Sequence, residues 1–170
     1  MAKKSKTSPI HIDFHTGIGT IIPSTQEAFK NHKFTSEIRT KEKEALANFK
    51  HILGTKIDNE LRGSIQFPSQ HEVFIFIVQY FASRKEYGKR DIDNLAKTIL
   101  DVLEGRFYSD DSQVKSLLVG KKMEKRITQN FAYIAIKELK DDRDIDVLKI
   151  SGLERSVFLY QELKKKGLLG

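Results

Sequence analysis

Cysteine is absent from this 170-residue chain, which excludes a disulfide framework, a Cys-ligated zinc or iron–sulfur site and a thiol nucleophile. Nothing in the composition points to secretion, so a reducing, cytoplasmic setting is expected. Long apolar runs are missing too. The longest, Val73–Val78, falls far short of the about 20 residues a membrane-spanning helix needs. The basic start MAKKSKTSP is not followed by the apolar region of a signal peptide, so residues 1–9 are expected to be a flexible tail of a soluble protein with no membrane partner. Repeats are lacking as well. Arg90-Asp91-Ile92-Asp93 returns as Arg143-Asp144-Ile145-Asp146, but the flanks share nothing, and a solenoid needs about three repeats of 20 residues or more.

What is present fits one folded domain. Hydrophobic residues make up 39% of the chain and include 11 Phe, enough to fill an interior despite 31% charged residues. Lys and Arg number 30 against 23 Asp and Glu, a net charge of +7 that suits a polyanionic partner such as nucleic acid.

Ile10–Phe14 alternates apolar and polar residues and Gly19–Ile22 follows a Thr-Gly turn, which predicts a short hairpin ended by Pro23. Lys41–Leu53 sets Ala45, Leu46, Phe49 and Leu53 on one helical face, with Gly54 where a C-terminal glycine belongs. Glu72–Phe81 is an unbroken apolar and aromatic run, which predicts a central strand buried on both faces, and Ala82–Arg90 reads as a polar loop. From Ile92, the positions Leu95, Ala96, Ile99, Leu100 and Leu103 trace one face of a strong helix that Gly105 closes. Val114–Lys122 and Asn130–Glu138 are predicted to pair as an antiparallel hairpin across the charged turn Met123–Thr128. Beyond Lys140 the composition turns charged, and Leu153, Val157, Tyr160 and Leu163 before Gly167 predict a C-terminal helix. The expected class is α+β, a small mixed β-sheet packed with helices.

Chemistry concentrates between Gly88 and Val114. Asp91 and Asp93 open the strong helix, where carboxylates cap backbone N–H groups and suit the macrodipole. Asp93, Lys97 and Asp101 fall on one face at i, i+4 spacing, a pattern that surface ion pairs also explain. A second pair, Asp110-Asp111, precedes the Val114 strand, and a helix that turns back at Gly105 is expected to bring Asp111 toward Asp91 and Asp93. Converging carboxylates repel each other and any phosphate unless a hard divalent cation neutralises them. All-oxygen ligands favour Mg²⁺, with Mn²⁺ as a substitute, over zinc.

Asp91-x-Asp93-Asn94-Leu95-x-Lys97, followed by Asp101 and by Asp110-Asp111-x-Gln113-Val114, resembles the RusA-type Holliday-junction resolvases, small homodimeric Mg²⁺-dependent endodeoxyribonucleases. The similarity runs from Phe74 to about Lys122. It implies a RusA-like fold over residues 1–139, while the helical extension expected over residues 140–170 goes beyond the usual family core and inherits no role from it. It also implies that Asp91, Asp93 and Asp111 bind the metal, that Lys97 is catalytic and that Asp110 supports them. The implied substrate is four-way or branched DNA in recombination and repair, cut by paired phosphodiester hydrolysis, one strand by each protomer, with no organic cofactor. The chain departs from the family in lacking a Gly-x-Pro and Arg-Pro-Arg cluster near its start, since no arginine precedes Arg39.

Lys85, Lys89 and Arg90 before the acidic motif, and Lys121, Lys122, Lys125 and Arg126 after it, are either solvated charges or the phosphate contacts of such a site. Phe107 and Tyr108 suit a core better than base stacking, and Lys164–Lys166 suit the end of a helix. The His residues have no ligand spacing. A phosphotransferase of the haloacid-dehalogenase type also uses DxD, but its DxD directly follows a strand, and here Leu95 stands where Thr or Val is usual. An EF-hand fails at Leu95 and Ala96. A non-catalytic DNA-binding module of the same fold is the remaining alternative.

Overall fold

The computed structural model describes residues 12–24 and 36–140. Its sheet is organised by β2 (Val73–Phe81), buried throughout except at half-buried Phe76 and Tyr80. An apolar run of this kind has partners on both edges and cover on both faces. The other strands are β1 (Phe14–Ile18), β3 (Val114–Met123) and β4 (Phe131–Glu138), in the order β1-β4-β2-β3. Three helices accompany them in the described residues: α1 (Ser36–Glu60), the short α2 (Arg84–Gly88) and α3 (Ile92–Leu103). The mixed sheet with helices is the expected α+β class.

Alternate residues of β2 point at α1 and α3. Val73, Ile75 and Ile77 join Phe49, Leu53 and Ile57 of α1 and Leu95, Ile99 and Leu103 of α3 in one buried cluster. Each of the fully buried Leu and Ile side chains contributes about 1.5–3 kcal/mol. Phe107 and Tyr108 close this cluster, the Phe107 ring lying tilted at 4.7 Å from Phe14 and edge-on at 5.0 Å from Phe67, so both aromatics are core residues. Gly105, at φ +77°, turns the chain out of α3 as predicted.

Four expectations change. β3 and β4 do not form a hairpin: β3 pairs in parallel with β2 (Ile75 with Leu117), while β4 pairs antiparallel on the other edge of β2 (Ile77 with Ile134). The chain crosses the end of β2 between them, where the Glu124 N–H donates to the Phe81 carbonyl (3.2 Å) and the Ala82 N–H to Asn130 Oδ1 (2.9 Å). Lysine-bearing β3 suits an edge, whereas buried β4 suits the interior between β1 and β2. The predicted N-terminal hairpin is a single strand, β1, pairing with β4 (Phe14 with Ile136), and Ile10 and His11 lie outside the described residues. Gly19–Ile22 is held instead by buried Gln79, which accepts the Ile22 N–H (2.8 Å) and donates to the Thr20 carbonyl (3.2 Å).

The first helix runs on through Gly54 to Glu60. Gly54 marks a close approach rather than an ending: a Cβ there would meet Arg106 Nη2 at 2.8 Å, and the guanidinium would have to shift to admit it. Arg106 grips Asp58 through Nε (2.7 Å) and Nη2 (3.1 Å), and Gly63, at φ +80°, marks the true exit. The polar loop contains α2, capped by Ser83. The C-terminal helix falls outside the described residues, as does the extension beyond Lys140. No described helix is long and apolar enough to cross a membrane.

Replacing Gln79 by Leu is expected to strand the Ile22 N–H and lower stability by about 1–3 kcal/mol. Chemical denaturation measures this, and an unchanged midpoint would mean that the Thr20–Ile22 segment is held by apolar contacts alone.

Candidate active site

Asp91 occupies the N-cap of α3, with extended backbone (φ −94°, ψ 137°) and its carbonyl accepting the Leu95 N–H at 3.3 Å. Its side chain makes no cap hydrogen bond, so the exposed carboxylate is not consumed by the helix. Asp93 is exposed in the first turn, where the macrodipole favours both charges. One turn on, Lys97 is exposed and has neither an ion pair nor a hydrogen bond among the described residues. The polar stripe of α3 is therefore not a ladder of ion pairs. Asp101 is matched instead by Lys50 of α1, at 2.6 Å.

An open cavity of about 640 Å³ lies along α3 and β3. Ile92, Ala96, Leu100, Leu117 and Val119 supply its apolar lining, and Asp93, Lys97, Asp101 and Asp111 its charges. Asp91 is not among the lining residues. Asp111 begins a 3-10 turn, Asp111–Gln113, at the entry to β3. Gln113 holds that turn with its whole amide. Its Oε1 accepts the N–H groups of Ser109 (2.8 Å) and Asp110 (3.2 Å), and its Nε2 donates to the carbonyls of Ser69 (2.9 Å) and His71 (3.1 Å). Asp110 caps the turn by accepting the Ser112 N–H at 2.8 Å, and hydrogen bonds from Ser112 hold its carboxyl below the usual range.

Asp93 and Asp111 line the same cavity but reach it from different ends of α3, and Asp91 is not in its lining. Because α3 runs back against the direction of β3, Asp91 and Asp93 stand where α3 begins and Asp111 near where it ends. The buried Tyr108 phenol is pushed up by burial and then by the nearby charges of Asp111, Glu104 and Asp101. The 12 residues of α3 span about 18 Å. Among the described residues no group of three or more His, Asp or Glu is arranged to hold a metal ion. The donor chemistry nonetheless fits Mg²⁺ in its commoner mode, in which one or two carboxylates share the ion with waters and substrate phosphate, rather than an all-protein cage. Asp91 and Asp93 are exposed oxygen donors of that kind.

Basic residues gather where β2 and β3 end and α3 begins. Lys85 and Lys89 are exposed on and after α2, and Lys122, Lys125 and Arg126 are exposed from the end of β3 into the turn that follows. Arg90 is half-buried and engaged. Lys121 departs from the expected phosphate contact. Its ammonium turns inward, donating to the carbonyls of Tyr87 (2.9 Å) and Arg90 (2.8 Å) over the Tyr87 ring. Sequence reasoning assigned no role to Gln113 or Lys50. A glutamine two residues after an acidic pair at a strand entry was the available signal for Gln113, whereas Lys50 left none because its partner is 51 residues away.

The family model described as "Endodeoxyribonuclease RusA" matches residues 19–137. No curated protein matches the chain.

The lowered carboxyl of Asp110 makes its cap pH-dependent: present above the ordinary carboxylate pKa, and lost as pH falls through the lower folded value. Asparagine keeps the acceptor without the charge. Asp110→Asn is expected to retain slow exchange of the Ser112 amide and to lose its acid dependence, whereas Asp110→Ala loses the protection at every pH, as amide exchange across an acid titration would show.

Proposed function

The chain belongs to the RusA endodeoxyribonuclease family, and on that premise we propose that it resolves four-way DNA junctions in recombination and repair by Mg²⁺-dependent phosphodiester hydrolysis. The observation that carries this reading is the unspent charge at the start of α3: an Asp91 carboxylate without its cap bond, exposed Asp93, and Lys97 without a partner. A structural helix start would use such groups on itself.

Asp91 and Asp93 would hold Mg²⁺, which supplies charge neutralisation at the scissile phosphate and lowers the pKa of the attacking water. Lys97, one turn along, sets its ammonium against the charge that develops on the phosphoryl oxygens or the leaving group. Lys85, Lys89, Lys122, Lys125 and Arg126, with Arg90, take the flanking phosphates and fix the register of the duplex arms. Each phosphate they neutralise releases counterions, so binding weakens steeply with salt.

Asp111 enters this reading through a second copy of the chain. Among the described residues no strand covers the outer edge of β3, and Ile92 and Leu117 beside it are 42% and 40% exposed. Two β3 edges facing each other antiparallel across a two-fold axis turn the Asp111 end of one toward the α3 start of the other. Such a C₂ dimer also matches the two-fold symmetry of a four-way junction and provides two cuts.

Asp91→Asn and Asp111→Asn are each expected to abolish cleavage while keeping or strengthening junction binding, because a repelling charge is removed. Mixing the two inactive variants tests the shared site. If Asp111 acts across the interface, half of the randomly mixed dimers regain one intact site, so about a quarter of the wild-type sites return and nick single strands. No recovery on mixing would place all the carboxylates' action within one chain. Binding without cutting by the wild-type protein in Mg²⁺ would make it a non-catalytic junction binder. Lys97→Ala is expected to lose more than about tenfold in kcat with little change in junction affinity. Weak binding with normal cutting at saturation would make Lys97 a phosphate contact.

A further inference from the structure

We propose that Lys121 is a positioning residue that sets the start of α3, and with it the carboxylates of Asp91 and Asp93. The inference rests on the nuclease reading above.

Ser83 caps α2, the Lys89 N–H donates to the Glu86 carbonyl (3.2 Å), and the Asp91 carbonyl accepts from Leu95 (3.3 Å). None of these bonds ties the Lys89–Asp91 turn to the sheet. Lys121 does, from a β3 position in register with buried Gln79 of β2. One ammonium donates to the last turn of α2 at Tyr87 and to Arg90, the residue before Asp91. The Tyr87 ring lies 4.4 Å from the ammonium and meets Phe81 of β2 edge-on at 5.6 Å. A cation between two carbonyls and an aromatic face forms charge-assisted bonds in a partly desolvated setting, which hold direction better than a solvated contact.

An extended N-cap residue takes its direction from the peptide before it. Fixing the Arg90 carbonyl therefore fixes where Asp91 leaves the turn and where the first turn of α3 puts Asp93. Lys121 is thereby withdrawn from phosphate binding, while exposed Lys122 keeps its charge toward solvent.

The test uses Lys121→Met, which keeps the apolar stem and removes the ammonium, and Lys121→Arg, which keeps a charged donor. In the DNA-free protein, Lys121→Met is expected to speed amide exchange at residues 88–93 by about tenfold while the amides of β2 stay protected. The Mg²⁺ concentration that half-saturates the amide shifts of Asp91 and Asp93 should rise by a similar factor. On a four-way junction kcat should fall by up to about 100-fold with KM little changed, as expected of misplaced reacting groups. Lys121→Arg should recover part of each change. Unchanged exchange with a raised KM would overturn the proposal and make Lys121 a phosphate contact; faster exchange with unchanged Mg²⁺ response and kcat would overturn it too. Should Lys121→Met fail to fold, Tyr87→Leu removes the ring beneath the ammonium, and absence of the same changes at smaller size would be equally fatal. A wild-type protein that cuts no branched DNA would defeat the nuclease reading alone, since the exchange and Mg²⁺ arms use no DNA.

Discussion

Two strands that pair in parallel must be joined by a crossover, because the chain has to return to the end from which the first strand started. In this protein α3 is that crossover between β2 and β3, and it runs back along β3 for 12 residues. That constraint places the two acidic motifs. Asp91 and Asp93 stand at the end where β2 and β3 finish, and Asp111 at the end where β3 begins. An antiparallel hairpin in place of the crossover would have let the motifs meet in one chain. The parallel pairing sets the two motifs at opposite ends of the crossover helix.

The same constraint marks what could be read from the sequence. β2 and α3 were legible because each declares itself locally, one as an unbroken apolar run and the other as a repeating apolar face closed by Gly105. The pairing of β3 and β4 was not. Strand partners are chosen by contacts far apart in sequence, and a short charged turn between two strands looks like a hairpin whether or not the chain crosses β2 within it. Gly54 misled for a related reason: a glycine that ends a helix and one that admits a neighbour's side chain look identical until Arg106 is seen beside it. The family was legible in the motif residues, whose positions along α3 and β3 depended on the crossover.

Within the site, charge is arranged by matching some groups and leaving others unmatched. Asp101 and Lys97 share the α3 face, yet Lys50 of α1 takes Asp101, which spares Lys97 from pairing with it. An exposed pair of this kind adds little stability. Its consequence is that Asp101 does not neutralise Lys97, which has no ion pair among the described residues.

Two tethers of the same design serve the two acidic turns. Gln113 binds the Ser109–Asp110 N–H groups to the loop at Ser69–His71, and Lys121 binds the carbonyls around Arg90. Both side chains lie at or on β3, one at its entry and one near its end. Neutral amide and cation suit their different tasks. The first must accept two bonds and donate two at once, which the two ends of an amide side chain do, and the second must satisfy carbonyls alone. Both act through backbone groups, and of the neighbouring carboxylates Asp110 spends an oxygen on the Ser112 N–H while Asp91 makes no cap hydrogen bond. β3 is thus the ruler of the site as well as the edge of the sheet, and a second chain docking along it would read the positions of both acidic turns from one strand.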